Sequence, residues 1–180
     1  MQLGSQLSQI TFPTNSAFAR SSLNGGTITL WVKPAVLSGT QYIFSTQGNS
    51  SNRIYFYIVG GTLRIMRGSN PPSTIDLGTA KLNEWVNIGM SWTGGTSGST
   101  QTVRGYMNGR RVGESSYLEG GTFDAFPLRV SGFFNGGGDE IRNGLVDEIR
   151  IYKDILADSE MRDRYLAELN KIQNNNFASK

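Results

Sequence analysis

At 180 residues the chain has the size of one domain, long enough to bury about 70% of the surface its unfolded form exposes. It contains no histidine and no cysteine, which excludes disulfides, thiol and imidazole nucleophile systems, and the commonest metal ligand. A net charge of +3 carried by scattered Lys and Arg argues against a nucleic-acid partner, and no stretch approaches the roughly 20 apolar residues of a membrane helix.

Charged residues make up only 17% of the chain, and 23 glycines among many Ser, Thr and Asn indicate turns between short strands. Residues 1–9 are polar and read as a flexible arm; the first 20 residues lack the basic start and apolar core of a secretory signal. Ile10 and Phe12 suggest a first edge strand, which Pro13 ends. Asn24-Gly25-Gly26 turns into a strand over 27–33, with Ile28, Leu30 and Val32 on one face and Trp31 on the other. A second strand covers 41–46. Over 54–59, Ile54, Phe56 and Ile58 alternate with Tyr55, Tyr57 and Val59, so both faces are apolar or aromatic. Gly60-Gly61 then makes a hairpin into 62–67.

Pro71-Pro72 breaks the pattern before a short strand at 73–77. Over 85–92, Val86, Ile88, Met90 and Trp92 share the predicted core face. Strands at 101–107 and 110–114 are joined by Asn108-Gly109, the strongest hairpin signal in the chain. A strand near 128–133 leads through a glycine-rich loop containing Asn135, Asp139 and Glu140 to the last strand, 145–152. There alternation puts Leu145, Asp147, Ile149 and Ile151 on one face. Asp147 thus falls where a buried residue is expected, and a bare buried carboxylate costs several kcal/mol or more (about that order), so it needs donors or a cation. Asp158 is the expected N-cap of a helix over 158–173 that carries Met161, Tyr165, Leu169 and Ile172 on one side. That apolar side packs on the sandwich edge in the favoured reading; a docking or oligomerisation handle is the other. The domain then spans 10–173, followed by a flexible tail at 174–180. This succession of short strands with one late helix predicts an all-β sandwich or barrel.

Three stretches carry a resemblance. Gly144-Leu145-Val146-Asp147-Glu148-Ile149-Arg150-Ile151-Tyr152, followed by Leu156-Ala157-Asp158-Ser159-Glu160-Met161, resembles the C-terminal signature of laminin G-like jelly rolls in the concanavalin A-like lectin/glucanase superfamily. Thr27-Ile28-Thr29-Leu30-Trp31-Val32-Lys33-Pro34 resembles that family's early strand. The stretch 83–92 and Gly105-Tyr106-Met107-Asn108-Gly109-Arg110 resemble its central strand and following hairpin. The matches come in the family's order and cover roughly residues 25 to 166. The resemblance implies a two-sheet antiparallel jelly-roll sandwich with a C-terminal helix, most of whose relatives recognise ligands without catalysing a reaction.

Glycanases of the superfamily use carboxylates aimed at one substrate by strand alternation. Here the acidic pairs are Asp139-Glu140 and Asp147-Glu148. Adjacent strand residues point to opposite faces, so neither pair is expected to straddle a glycosidic bond at the required separation of about 5 to 9 Å. No enzyme is therefore expected, the remaining case being a glycanase whose acids escape recognition. The resemblance also implies a calcium ion, bound by Asp147 with Asp139, Asn135 and Asn143 nearby; calcium takes six to eight oxygen ligands. The competing role for Asp147 is acceptance of backbone N–H bonds at a strand crossing. Sugar rings stack on exposed aromatics while polar groups bond their hydroxyls. Trp31, Tyr55, Tyr57, Arg104 and Tyr106 lie opposite the most apolar strand faces and are candidates for such a surface; each is otherwise an ordinary packed aromatic or surface residue.

The combined expectation is a non-catalytic, lectin-like module for recognition or assembly. A chain opening on Met1 without an export signal suits a bacteriophage virion component (a capsid decoration, fibre or tail accessory) at the virion surface. Its partners would be host-surface glycans or other virion proteins, with homo-oligomers accommodated. The alternative is a carbohydrate-binding module excised from a secreted multidomain enzyme or adhesin, acting outside the cell.

Overall fold

The computed structural model describes residues 10–12, 25–47, 53–68, 72–120, 128–133 and 139–177. Among the described residues, eleven strands form two antiparallel sheets. They are β1 (Ile10–Phe12), β2 (Gly25–Lys33), β3 (Thr40–Gln47), β4 (Arg53–Val59), β5 (Thr62–Gly68), β6 (Ser73–Thr79), β7 (Val86–Thr93), β8 (Thr100–Met107), β9 (Arg110–Leu118), β10 (Leu128–Val130) and β11 (Leu145–Tyr152). A helix, α1 (Asp158–Phe177), follows. The six-stranded sheet runs β1-β10-β3-β4-β5-β6, and the five-stranded sheet runs β11-β2-β7-β8-β9.

The core lies between the sheets and is built by period-2 alternation. Ile28, Leu30 and Val32 of β2 and Ile88, Met90 and Trp92 of β7 meet Phe44, Ile54, Phe56, Ile58 and Ile65 from the opposing sheet. These side chains are essentially fully buried, and each contributes about 1.5–3 kcal/mol on leaving water. One polar pair interrupts this interior. Arg67 and Glu119 have fully buried side chains joined Nη2 to Oε2 at 3.0 Å. The Arg67 guanidinium also sits 4.5 Å from the Tyr117 ring centre. Burial pulls the Arg67 pKa down, opposed by Tyr117 and Glu119, so the charge is held by its neighbours rather than by water.

Bulges decide which residues leave the core. In β3, Tyr42 pairs with Tyr57 and Phe44 with Phe56, so Ile43 is the extra residue. Phe44 and Ile43 both enter the core, while Tyr42 is left on the outer face. In β11 the register shifts between Asp147 and Arg150, and Glu148 adopts a φ of 48°. Alternation therefore fails across this strand: Val146 is the core residue, and Asp147 is exposed. The expected burial of Asp147 is corrected accordingly; its Oδ1 accepts the neighbouring Glu148 N–H at 2.8 Å.

Helix α1 also departs from expectation at both ends. Ala157, rather than Asp158, holds the cap position: Met161 N–H donates to its carbonyl, and its own N–H donates to Glu160 Oε2 at 2.8 Å. Asp158 is freed to bond outside the helix. The C-terminal end lies at Phe177, beyond the expected 173. The helix packs against the outer face of the five-stranded sheet rather than the sandwich edge. Met161 and Leu156 join Tyr106 in a second small core, and Tyr165 stacks on Trp31 with ring centres 5.6 Å apart. Gly109, at a φ of 73° in the β8–β9 turn, makes room for it, since a Cβ there would stand 2.8 Å from Tyr165 Cβ. Residues 1–9, expected to form an arm, lie outside the described residues, as do 178–180 of the expected tail.

Candidate functional site

The five residues expected to form a glycan surface divide between the two sheets. Trp31, Arg104 and Tyr106 lie on the outer face of the five-stranded sheet, where α1 covers the two aromatics: Trp31 is 1% exposed and Tyr106 fully buried. Trp31 Nε1 donates to Glu168 Oε2 at 2.8 Å, and the Tyr106 hydroxyl donates to Asp158 Oδ1 at 3.0 Å. Arg104 is engaged with Glu114 at 2.6 Å. These three residues secure the helix and its surroundings, and they present no open aromatic surface.

Tyr55 and Tyr57 lie on the outer face of the other sheet, in a cluster that sequence alternation does not anticipate. Tyr42, released outward by the β3 bulge, stacks on Tyr57 at 5.6 Å and meets Tyr55 edge-on at 5.5 Å. Phe133, just beyond β10, lies 4.6 Å from Tyr42 and 5.6 Å from Tyr55. Tyr55 and Tyr57 form the buried floor, while Tyr42 and Phe133 are half-buried and reach the surface. Desolvation raises the pKa of all three tyrosines; for Tyr42 the neighbouring Tyr57 and Asp139 add to the rise, and Arg53 opposes it. The flank beyond Tyr57 carries Arg64, ion-paired with Asp76 at 2.6 Å.

A shallow pocket of about 210 Å³ adjoins the Tyr42 end and is lined by Gly39, Thr40, Asp139, Glu140 and Arg142. It is anchored to β3: Tyr42 N–H donates to the Asp139 carbonyl at 2.6 Å, and Tyr42 forms a parallel bridge with Glu140. Arg142 donates from its backbone to Gln41 Oε1 at 3.1 Å and from Nη2 to the Ser38 carbonyl. Asp139 and Glu140 belong to no named strand, so alternation does not send them to opposite faces, and both line the pocket. Tyr42, Phe133, Thr40, Glu140 and Arg142 are the residues that sequence reading misses as site members. The Tyr42-x-Phe44 spacing predicts a shared core face, and only the bulge separates the two rings.

The implied calcium ligands are not gathered among the described residues. Asp139 is bonded to β3 of one sheet, whereas Asp147 pairs with Trp31 in the other. Asn143 lies exposed in the turn before β11, at a φ of 56°, and Asn135 is outside the described residues. No group of three or more Asp or Glu placed to hold a metal occurs among the described residues. Nor does any described helix have the length and apolarity to cross a membrane.

Two packed antiparallel sheets with an aromatic outer face and a docked C-terminal helix define a lectin-like jelly roll. A laminin G-like family model, described as the concanavalin A-like lectin/glucanases superfamily, matches residues 5–162. The chain belongs to that superfamily. Among solved structures it is similar to the botulinum neurotoxin serotype D binding domain, with a TM-score of 0.70 and 13% identity over 92% of this chain and 42% of that one. It is also similar to a chain from a structure titled for the dependence of botulinum neurotoxin type C cell entry on interaction with two ganglioside molecules (TM-score 0.65, 11% identity, 88% and 39% covered). A third likeness is to the heptameric SAP-like pentraxin from Limulus polyphemus (TM-score 0.57, 19% identity, 86% and 79% covered). The chain spans about two fifths of the length of the toxin chains, and at these identities the likeness is one of fold. The search of curated proteins returns no match.

Proposed function

We propose that this jelly roll is a non-catalytic recognition module that binds a saccharide on the outer face of its six-stranded sheet. Tyr42 and Phe133 offer ring surface for stacking, and Thr40, Asp139, Glu140 and Arg142 offer partners for sugar hydroxyls. The observation that carries this reading is the half-buried Tyr42–Phe133 pair, at 4.6 Å, beside a pocket rich in polar side chains. A few directed polar groups beside a preformed aromatic surface suit sugar recognition. The botulinum neurotoxin serotype D neighbour is titled a binding domain, which supports recognition over catalysis. Asp139 is exposed in an open pocket, unlike the enclosed, apolar setting in which a glycosidase holds its acid.

The biological placement belongs to the same proposal. A module of this kind serves on a bacteriophage virion surface, binding host glycans or neighbouring virion proteins. If it is excised from a secreted multidomain protein, it serves outside the cell instead. A glycan-array screen of the purified chain, with calcium and with chelator, is the direct test. Binding to a defined sugar that Tyr42→Leu weakens supports the reading; calcium dependence would assign an ion to the Asp139 side. Absence of binding under both conditions, or hydrolysis of a bound glycan, would overturn it.

A further inference from the structure

The charges around the pocket carry information about which saccharide fits. Asp139 and Glu140 both line it, and no ion pair to either is found among the described residues. Arg142 is the lining cation, and its Nη2 is directed to the Ser38 carbonyl. Across the aromatic cluster, Arg64 is engaged by Asp76 at 2.6 Å. Arg53 acts on both Tyr55 and Tyr42, where its charge opposes the rise in each residue's pKa. Among the described residues the pocket lining therefore holds two carboxylates against one guanidinium, one of whose nitrogens is already engaged by a backbone carbonyl.

Ionised carboxylates only accept hydrogen bonds, and sugar hydroxyls donate them. A carboxylate or sulfate on the ligand would instead meet Asp139 and Glu140 as like charges, which disfavours it. We infer that this site takes neutral saccharides and discriminates against acidic ones, with Asp139 and Glu140 as the specificity-determining residues. The inference rests on the saccharide reading of this face. It separates the chain from ligands whose recognition depends on an acidic sugar, whatever the likeness of fold.

Calorimetry on the full chain, with matched neutral and uronate- or sialate-bearing forms of one oligosaccharide, tests it. The neutral form is expected to bind at least about tenfold more tightly, equivalent to about 1.4 kcal/mol. Its affinity is expected to hold steady between about 50 mM and about 500 mM salt, while the acidic form gains as repulsion is screened. Asp139→Asn/Glu140→Gln retains side chains of similar size and is expected to narrow the gap severalfold without lowering the melting temperature. Tighter binding of the acidic form, or a gap unmoved by the double variant, would overturn the inference while leaving the saccharide reading standing. Failure of both forms, alongside a glycan array that returns nothing, would remove that reading and this inference with it.

Discussion

The indole nitrogen of Trp31 donates to Glu168 Oε2 at 2.8 Å across 137 positions of sequence, tying β2 to the third turn of α1. Glu168 is 4% exposed, and its other oxygen accepts Arg150 Nε at 2.6 Å. This carboxylate is thus satisfied from two strands, and Tyr165 stacked on Trp31 closes the contact. The helix consequently belongs to the folded domain.

Replacing Glu168 by Ala leaves the Trp31 N–H without its acceptor beneath the helix. The expected loss is about 1–3 kcal/mol, the cost of an unsatisfied buried donor. For a chain of this size that lowers the melting temperature by about 2–4 °C per kcal/mol. Glu168→Gln keeps an acceptor for the indole and loses only the pairing with half-exposed Arg150, so its loss should be smaller. Thermal melts of the two variants, followed by tryptophan fluorescence, separate the contributions. Equal destabilisation would mean that the ion pair dominates.

Arg67 and Glu119 make a sharper test, because both side chains are fully buried. Arg67→Met alone leaves the buried Glu119 carboxylate without its counter-charge, held by the Tyr117 hydroxyl and the Gly120 N–H, with an expected cost of about 3–5 kcal/mol. Arg67→Met/Glu119→Leu removes both charges and should recover much of that loss. Urea denaturation of the single and double variants gives the coupling. A single variant within about 0.5 kcal/mol of the parent would rule out a tightly enclosed pair.

Alkaline pH should unfold the protein through its tyrosines. Burial raises the pKa of Tyr42, Tyr55, Tyr57, Tyr106 and Tyr117 above the ordinary value of 10.0. The folded state disfavours each phenolate, so the unfolded chain ionises first. The stabilisation is therefore complete below about pH 10 and is lost as pH rises through the raised folded values. Tyrosinate absorbance recorded together with circular dichroism should show these five ionising as the sheet signal collapses. Full ionisation with the fold intact would contradict their burial.

The strands and the core were legible because alternation holds along most of the chain: Ile28, Leu30 and Val32, or Ile54, Phe56 and Ile58, face inward as their spacing predicts. The site was legible only in part, and bulges are one cause. An extra residue resets a period of two, and no local composition marks Ile43 or Glu148 as the residue that does so. Unbroken alternation therefore places Asp147 in the core and gives no reason to single out Tyr42 as a candidate site residue. Trp31 and Tyr106 failed differently. Alternation places them on an outer face, but what covers that face is set by helix contacts more than 50 positions away, as Tyr106 with Asp158 illustrates.

The two aromatic faces lead to opposite outcomes for similar substitutions. Tyr42→Leu retains much of the side chain's volume and removes the ring surface open beside the pocket, so saccharide binding should weaken about tenfold or more, with a small change in stability. Tyr106→Phe removes the hydroxyl that donates to Asp158 at 3.0 Å under the helix. It should cost about 0.5–1.5 kcal/mol of stability and leave binding unchanged. Calorimetric titration and thermal melts of both variants complete the comparison. Should Tyr106→Phe impair binding while Tyr42→Leu does not, the recognition face would have to be moved to the helix-covered sheet, with α1 displaced from Trp31 when the ligand binds.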